Sequence, residues 1–171
     1  VVVAVDAPAA AALGAPGPPA KTEHVSTGQL YFEAPRPTLT DSIIVLPTAA
    51  GGIVSNLANM SAVAPDYAPE GRTLIQVSVG GNVEPGDDLP ARVRGELRPW
   101  FADVDGWQHL RSYRVDYALP DQAHVRHDPT RDDLRPTAGV YRAGDHLLNG
   151  SLNAALRTGR LAAEAVAADL G

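Results

Sequence analysis

Hydrophobic and polar positions change their period along the chain, and the predicted elements follow from those changes. Residues 1–5 form an unbroken apolar run, Val1, Val2, Val3, Ala4 and Val5, which Asp6, Ala7 and Pro8 bring to an end. A run so short and so β-branched predicts a fully buried strand rather than a helix. One or two helical turns are expected over 9–13, then a Pro/Gly loop over 14–19. Strands are predicted at 26–32, 42–47 and 53–58, the last two pairing as a hairpin across 48–52. After a loop over 61–71 that holds Pro65 and Pro69, Thr73, Ile75, Val77 and Val79 alternate with Leu74, Gln76 and Ser78. That period of two predicts a strand over 73–79, followed by a turn over 80–86.

From residue 87 the period lengthens. Leu89, Val93, Leu97 and Trp100 or Phe101 recur at helical spacing, predicting a helix over 87–101 with Asp87 or Asp88 as its N-cap. Pro90 falls early, where the missing amide proton costs little. Residues 107–117 return to strand character, and 121–136 are polar and broken by proline, as expected of a surface connection. A short strand over 139–143 and a helix over 151–170 follow. The predicted class is α/β plus α+β. A mixed or antiparallel sheet with one helix occupies 26–120, inserted between two pieces of a separate α/β layer at 1–25 and 121–171.

Composition narrows the function classes. The chain has 171 residues, with 14 basic against 20 acidic and a net charge of −6. No basic stripe interleaved with aromatics occurs, which argues against nucleic acid or an anionic membrane as partner. With no cysteine, disulfides, thiolate metal sites and thiol catalysis are excluded. The same absence fits a reducing cytoplasm, the expected location. No apolar run approaches the roughly 18–20 residues that span a bilayer, so membrane association is not indicated. The opening valines lack an initiator Met and a basic region before them, which predicts a strand cut into at the start of the chain rather than a signal peptide.

Chemistry concentrates near the end. Gly139-Val140-Tyr141-Arg142-Ala143-Gly144-Asp145 is a strand running into a turn, and Ser151-Leu152-Asn153-Ala154-Ala155-Leu156 opens a helix. The first amides of a helix have no internal partner, and the macrodipole adds positive potential there. Gly144 permits close approach of a ligand to the backbone, and Asp145 can accept from ligand hydroxyls. Small residues, Ala155, Gly159, Ala162 and Ala163, let the helix pack tightly, with Arg160 and Glu164 spaced as an i,i+4 pair. From spacing alone, a capped Ala-rich helix packed on a sheet is the preferred reading of the segment.

The segment resembles a known signature. Ala143-Gly144-Asp145, then Gly150-Ser151-Leu152-Asn153-Ala154-Ala155-Leu156 and Thr158-Gly159-Arg160, are similar to the C-terminal flavin-binding motif of the amine oxidase and phytoene desaturase superfamily. Ala154 stands where many relatives have Gly, and Thr158 where many have Ser. The opening strand, Leu30-Tyr31-Phe32, Asn56-Leu57-Ala58, Val63-Ala64-Pro65 and Tyr117-Ala118-Leu119-Pro120 follow the order of the desaturase-like branch.

The resemblance implies the C-terminal part of a two-domain, Rossmann-like FAD-binding fold. Residues 26–120 would form the substrate domain, while 1–25 and 121–171 would return to the FAD domain and complete it with the C-terminal helix. It implies FAD as cofactor. The Gly144 and Asp145 amides would face the pyrophosphate, and the Asp145 side chain the ribityl chain. Leu152, Asn153 and Ala154, in the helix that Ser151 opens, would point at the pyrimidine edge of the flavin. The implied reaction is hydride transfer from a C–N or C–C bond to the flavin. The implied partner is a small molecule, with the motif order leaning toward an apolar, isoprenoid-like one. No catalytic residue is assigned.

One departure is large. The family's Gly-x-Gly-x-x-Gly βαβ unit is absent, and Gly51-Gly52 and Gly80-Gly81 are turn glycines. That segment is expected in the same or another chain, and this piece alone is expected to be inactive. A binding or regulatory module that kept the fold without the cofactor is the alternative. His146 is expected in an exposed loop rather than against a flavin. His124 and His127, near Asp128, Asp132 and Asp133, read as a solvated loop rather than a metal site. Trp100, Phe101 and Trp107 read as core anchors.

Overall fold

The structure is a computed structural model. It describes every residue except 17–23, 36, 48–50, 84–85, 87, 121–122 and 124. Asp87 as a cap, His124, residues 48–50 of the hairpin turn and 17–19 of the Pro/Gly loop lie outside the described residues. In chain order the first elements are β1 (Val2–Val3), α1 (Ala7–Ala12), β2 (His24–Glu33), β3 (Ile44–Val45), β4 (Val54–Asn59) and α2 (Met60–Val63). They are followed by β5 (Leu74–Gly80), α3 (Leu89–Leu97), β6 (Gln108–Pro120), α4 (Arg131–Leu134), β7 (Tyr141–Arg142) and α5 (Leu152–Leu170). The chain divides into two compact units, Ser26–Asp116, and Val1–Val25 with Tyr117–Gly171.

The Ser26–Asp116 unit is built on a five-stranded sheet of order β3-β4-β5-β2-β6. The expected hairpin forms, with β3 antiparallel to β4, and β5 runs antiparallel to both β4 and β2. Register follows the period of two. Leu30 lies opposite Val77 and Phe32 opposite Ile75, and all four are fully buried on one face. Against that face packs α3, whose Leu89, Val93 and Leu97 are buried at successive turns. Each such buried side chain contributes about 1.5–3 kcal/mol. Next to the bulge between Val54 and Asn56, Glu96 of α3 accepts from the Ile53 amide at 2.7 Å and the Val54 amide at 3.1 Å.

Several expectations change here. Asp88 stands at the N-cap position of α3 as expected, but it sits in the α region and its side chain makes no cap bond. The helix ends at Leu97, which turns Phe101 inward and leaves Trp100 45% exposed, so Trp100 is not a core anchor. Residues 61–71 are not a plain loop: Asn59 caps α2 by accepting from the Ala62 amide at 3.1 Å, and Pro65 starts a 3₁₀ turn.

In the second unit β1 and β7 pair in parallel, Val2 opposite Tyr141 and Val3 opposite Arg142. The ladder is carried by Tyr141 N–H to Val1 O at 2.8 Å and Ala143 N–H to Val3 O at 3.0 Å. Residues 1–5 were expected to be buried throughout, but Val1 is 83% exposed and Val2 51%. Among the described residues β1 has a neighbouring strand on one side only, so its remaining faces meet solvent. One face of β7 is covered: Tyr141, Ala143 and Ala162 of α5 form a small core joined by Ala165 and Val166. The surface connection at 121–136 holds α4, opened by a capping box in which Thr130 and Asp133 bond reciprocally. Among the described residues no helix is long and apolar enough to cross a membrane.

Candidate functional site

The Ala143-Gly144-Asp145 turn connects β7 to α5, and two side chains, those of His146 and Thr158, stand against Gly144. The glycine has φ 152°, a backbone region that disfavours any side chain. A Cβ there would lie 2.5 Å from His146 Cε1 and 2.6 Å from Nδ1, so the imidazole occupies the space a side chain would need. From α5 the fully buried Thr158 reaches back, its Oγ1 accepting from the Gly144 amide at 2.9 Å. The same hydroxyl lies within donating distance of the Gly144, Ala154 and Ala155 carbonyls, at 3.1, 2.9 and 3.1 Å. Thr158 thereby ties the turn to the helix.

The start of α5 is capped from its own sequence. Ser151 Oγ accepts from the Ala154 amide at 3.1 Å and donates to Asn149 Oδ1 at 2.6 Å. Leu152 is 76% exposed and Asn153 is exposed beside it, whereas Ala154 is buried. In the structure the Gly144 amide donates to Thr158 Oγ1, and the Ala154 amide donates to Ser151 Oγ. Among the described residues the Asp145 carboxylate on the turn and the Leu152 and Asn153 amides, the first two of the helix, make no hydrogen bond.

Two basic side chains beside the turn were not expected to be buried. Arg142 is 6% exposed, and its Nη1 has no hydrogen-bond partner among the described residues. His146 is half-buried rather than in an exposed loop, and neither ring nitrogen has a partner there. Burial lowers the His146 pKa, and the charge of Arg142 adds to that, against the opposing pull of Asp145 and Asp6. Burial, then Asp145 and Asp6, raises the Tyr117 phenol. Unpaired polar groups in a protein interior are costly, and an unsatisfied guanidinium calls for an anionic or carbonyl acceptor. The alternation Val140-Tyr141-Arg142-Ala143 was the signal: with Tyr141 facing α5, Arg142 must face the other side of the strand. Among the described residues no group of three or more potential metal ligands occurs, and His127 lies exposed in its loop.

A buried guanidinium with an unpartnered Nη1 and a carboxylate on the turn, beside a helix start, suit a ligand with both anionic and hydroxyl groups.

Comparison with known proteins bears on the same residues. No curated protein matches the chain. Among solved structures, a protein from Pyrococcus furiosus superposes with a TM-score of 0.48 at 18% identity, over 72% of this chain and 26% of that one. An oxidoreductase from Methanosarcina mazei gives 0.48 at 17% identity, over 89% of this chain and 36% of that one. The chain thus spans between a quarter and two fifths, roughly, of the solved proteins it resembles. The family model described as flavin containing amine oxidoreductase matches residues 1–167, nearly the whole chain and all of the turn and helix described above. The chain belongs to the flavin-containing amine oxidoreductase family.

Proposed function

We propose that this chain is the C-terminal portion of an FAD-dependent oxidoreductase that removes hydride from a C–N or C–C bond of a small molecule. The observation that carries the reading is the orphaned, buried Arg142 beside the Gly144-Asp145 turn, in a chain of a flavin-containing family. Bound FAD would supply the hydride acceptor. The chain's own part is to bind and position. Asp145 would hold ribityl hydroxyls, Arg142 would offer a buried positive charge toward the diphosphate, and Ser151, Leu152 and Asn153 would present the helix start to the flavin ring. The positive end of α5 would favour negative charge placed at that edge of the ring. Thr158 and His146 act through Gly144, by fixing the turn.

In this reading the two ends of the chain belong to a Rossmann-like FAD domain and residues 26–120 to the substrate domain. The ADP half of the cofactor needs a Gly-x-Gly-x-x-Gly segment, in the same or another chain, so these 171 residues alone bind FAD weakly and turn nothing over. The test is a visible spectrum of the protein together with its nucleotide-binding segment, followed by reductant. A flavin spectrum that bleaches, and that weakens in Arg142→Leu, is the expected result. A protein that stays colourless after FAD titration would overturn the reading in favour of a binding module that kept the fold without the cofactor.

A further inference from the structure

The two faces of the five-stranded sheet differ. One carries the apolar core; the other carries Asn56, Ser78, Gln76, Gln29, Tyr31 and Tyr113. Ser78 Oγ lies 3.0 Å from both Asn56 Oδ1 and Gln29 Oε1, and 2.8 Å from the Gln76 amide nitrogen that donates to it. One hydroxyl proton cannot serve two acceptors, so the ladder keeps acceptor capacity to spare. Toward β6 this face opens into a concavity of about 610 Å³, lined by Gln29, Tyr31, Leu74, Arg111, Tyr113 and Arg114 among others. Tyr31 meets Tyr113 edge-on, centroids 5.9 Å apart at 86°. The Arg111 guanidinium lies 5.2 Å from the Tyr113 centroid, and it has no carboxylate partner among the described residues, whereas Arg114 is paired with Asp116. The concavity therefore offers ring faces and edges, one uncommitted guanidinium held on a ring, and a polar ladder at its border.

We propose that this concavity binds the non-reacting end of the substrate, a planar aromatic ring bearing a carboxylate, with the ring against Tyr31 and Tyr113 and the carboxylate on Arg111. A guanidinium held over a tyrosine keeps its N–H edge free for bidentate recognition of a carboxylate, and charge complementarity selects an anion over a cation or a neutral ring. Such a lining favours this class over an isoprenoid-like chain, which would leave the ladder and the guanidinium desolvated without partners. That the ligand is a substrate rests on the flavoenzyme reading above; the chemistry of the concavity does not.

The test uses the full chain and needs no flavin. Binding of 1-naphthylacetate is measured by calorimetry and ligand-observed NMR, against 1-naphthalenemethanol and 1-naphthylmethylamine. The expected order has the carboxylate tightest. Arg111→Gln should weaken it by about tenfold, the scale of one charge-assisted contact, while leaving the neutral alcohol unchanged. Tyr113→Leu should weaken carboxylate and alcohol alike. Both positions are exposed, so the variants fold as the parent does, checked by coincident melting curves. Equal or tighter binding of the amine, or an Arg111→Gln variant that binds the carboxylate as well as the parent, overturns the proposal. So does concentration-dependent dimerisation abolished by Tyr113→Leu, which would make the face a protein interface. A colourless protein that still binds the carboxylate in this order would retire the flavoenzyme reading and leave the ligand chemistry standing.

Discussion

The hydroxyl of Thr158 sits between the amide and the carbonyl of Gly144, 2.9 Å from the nitrogen and 3.1 Å from the oxygen, across fourteen residues of sequence. It is fully buried, so no water stands ready to replace it. Thr158→Val keeps the shape and removes the oxygen, leaving the Gly144 amide without its acceptor. The expected cost is about 1–3 kcal/mol, the range for orphaning one buried donor. Thr158→Ser should recover most of it. Thermal or urea melts of the three proteins decide this, and an unchanged Thr158→Val would deny the hydroxyl its role.

Gly144 is constrained twice, by φ 152° and by the His146 ring where a Cβ would go. Gly144→Ala should destabilise by about 1–3 kcal/mol from backbone strain alone, before the clash is added. Adding His146→Ala removes the clash and leaves the strain, so the double variant should be more stable than Gly144→Ala yet less stable than His146→Ala. A melt series in which the double variant equals His146→Ala would show the backbone conformation to cost nothing.

His146 predicts a pH dependence of definite sign. Its folded pKa is lowered, first by burial and then by Arg142, so the unfolded chain binds the proton more readily. Stability is thus fully present above the unfolded value of about 6.5 and is lost as pH falls from there toward the folded pKa. Denaturant titrations from pH 8 down to 5 should show that decline, and His146→Phe should flatten it. A decline that persists unaltered in His146→Phe would assign it to another group.

Asp103 holds a corner of the other unit. Its carboxylate accepts from Trp107 Nε1 at 2.6 Å and the Thr38 amide at 3.1 Å, and is bonded by the Thr38 hydroxyl. Burial pushes its pKa up, but the Thr38 hydroxyl, the Trp107 indole and the Thr38 amide together outweigh it, and the net shift is downward. A depressed carboxylate stabilises above its unfolded pKa of about 3.9 and ceases to do so as pH falls through the folded value. Asp103→Ala leaves the indole N–H of a buried tryptophan unpaired, an expected loss of about 1–3 kcal/mol near neutral pH. As pH falls from about 4 through the lower folded value, the parent should lose this advantage over the variant, and a constant difference would remove the ionised form from the account.

The sequence by itself determined most of the periodic structure. Ile75, Val77 and Val79 declared the inward face of β5, and Leu89, Val93 and Leu97 that of α3, because side-chain direction is fixed by the backbone repeat. The strand, turn and capped helix around Gly144 and Ser151 were equally legible, since caps and turns are local chemistry, and the Thr130-x-x-Asp133 spacing carries the signal of its capping box. Burial of charge was not local. Arg142 and His146 looked like ordinary polar residues of a short strand and a loop, and only packing closed over them. That Thr158 would accept from the Gly144 amide, fourteen residues away, was not legible either. The exposed valines of β1 and the gathering of Tyr31, Tyr113 and Arg111 in one concavity were likewise decided by tertiary structure. A pattern of residues says which way each side chain points, whereas which strands are neighbours, and what stands opposite each group, depends on contacts between residues far apart in the chain.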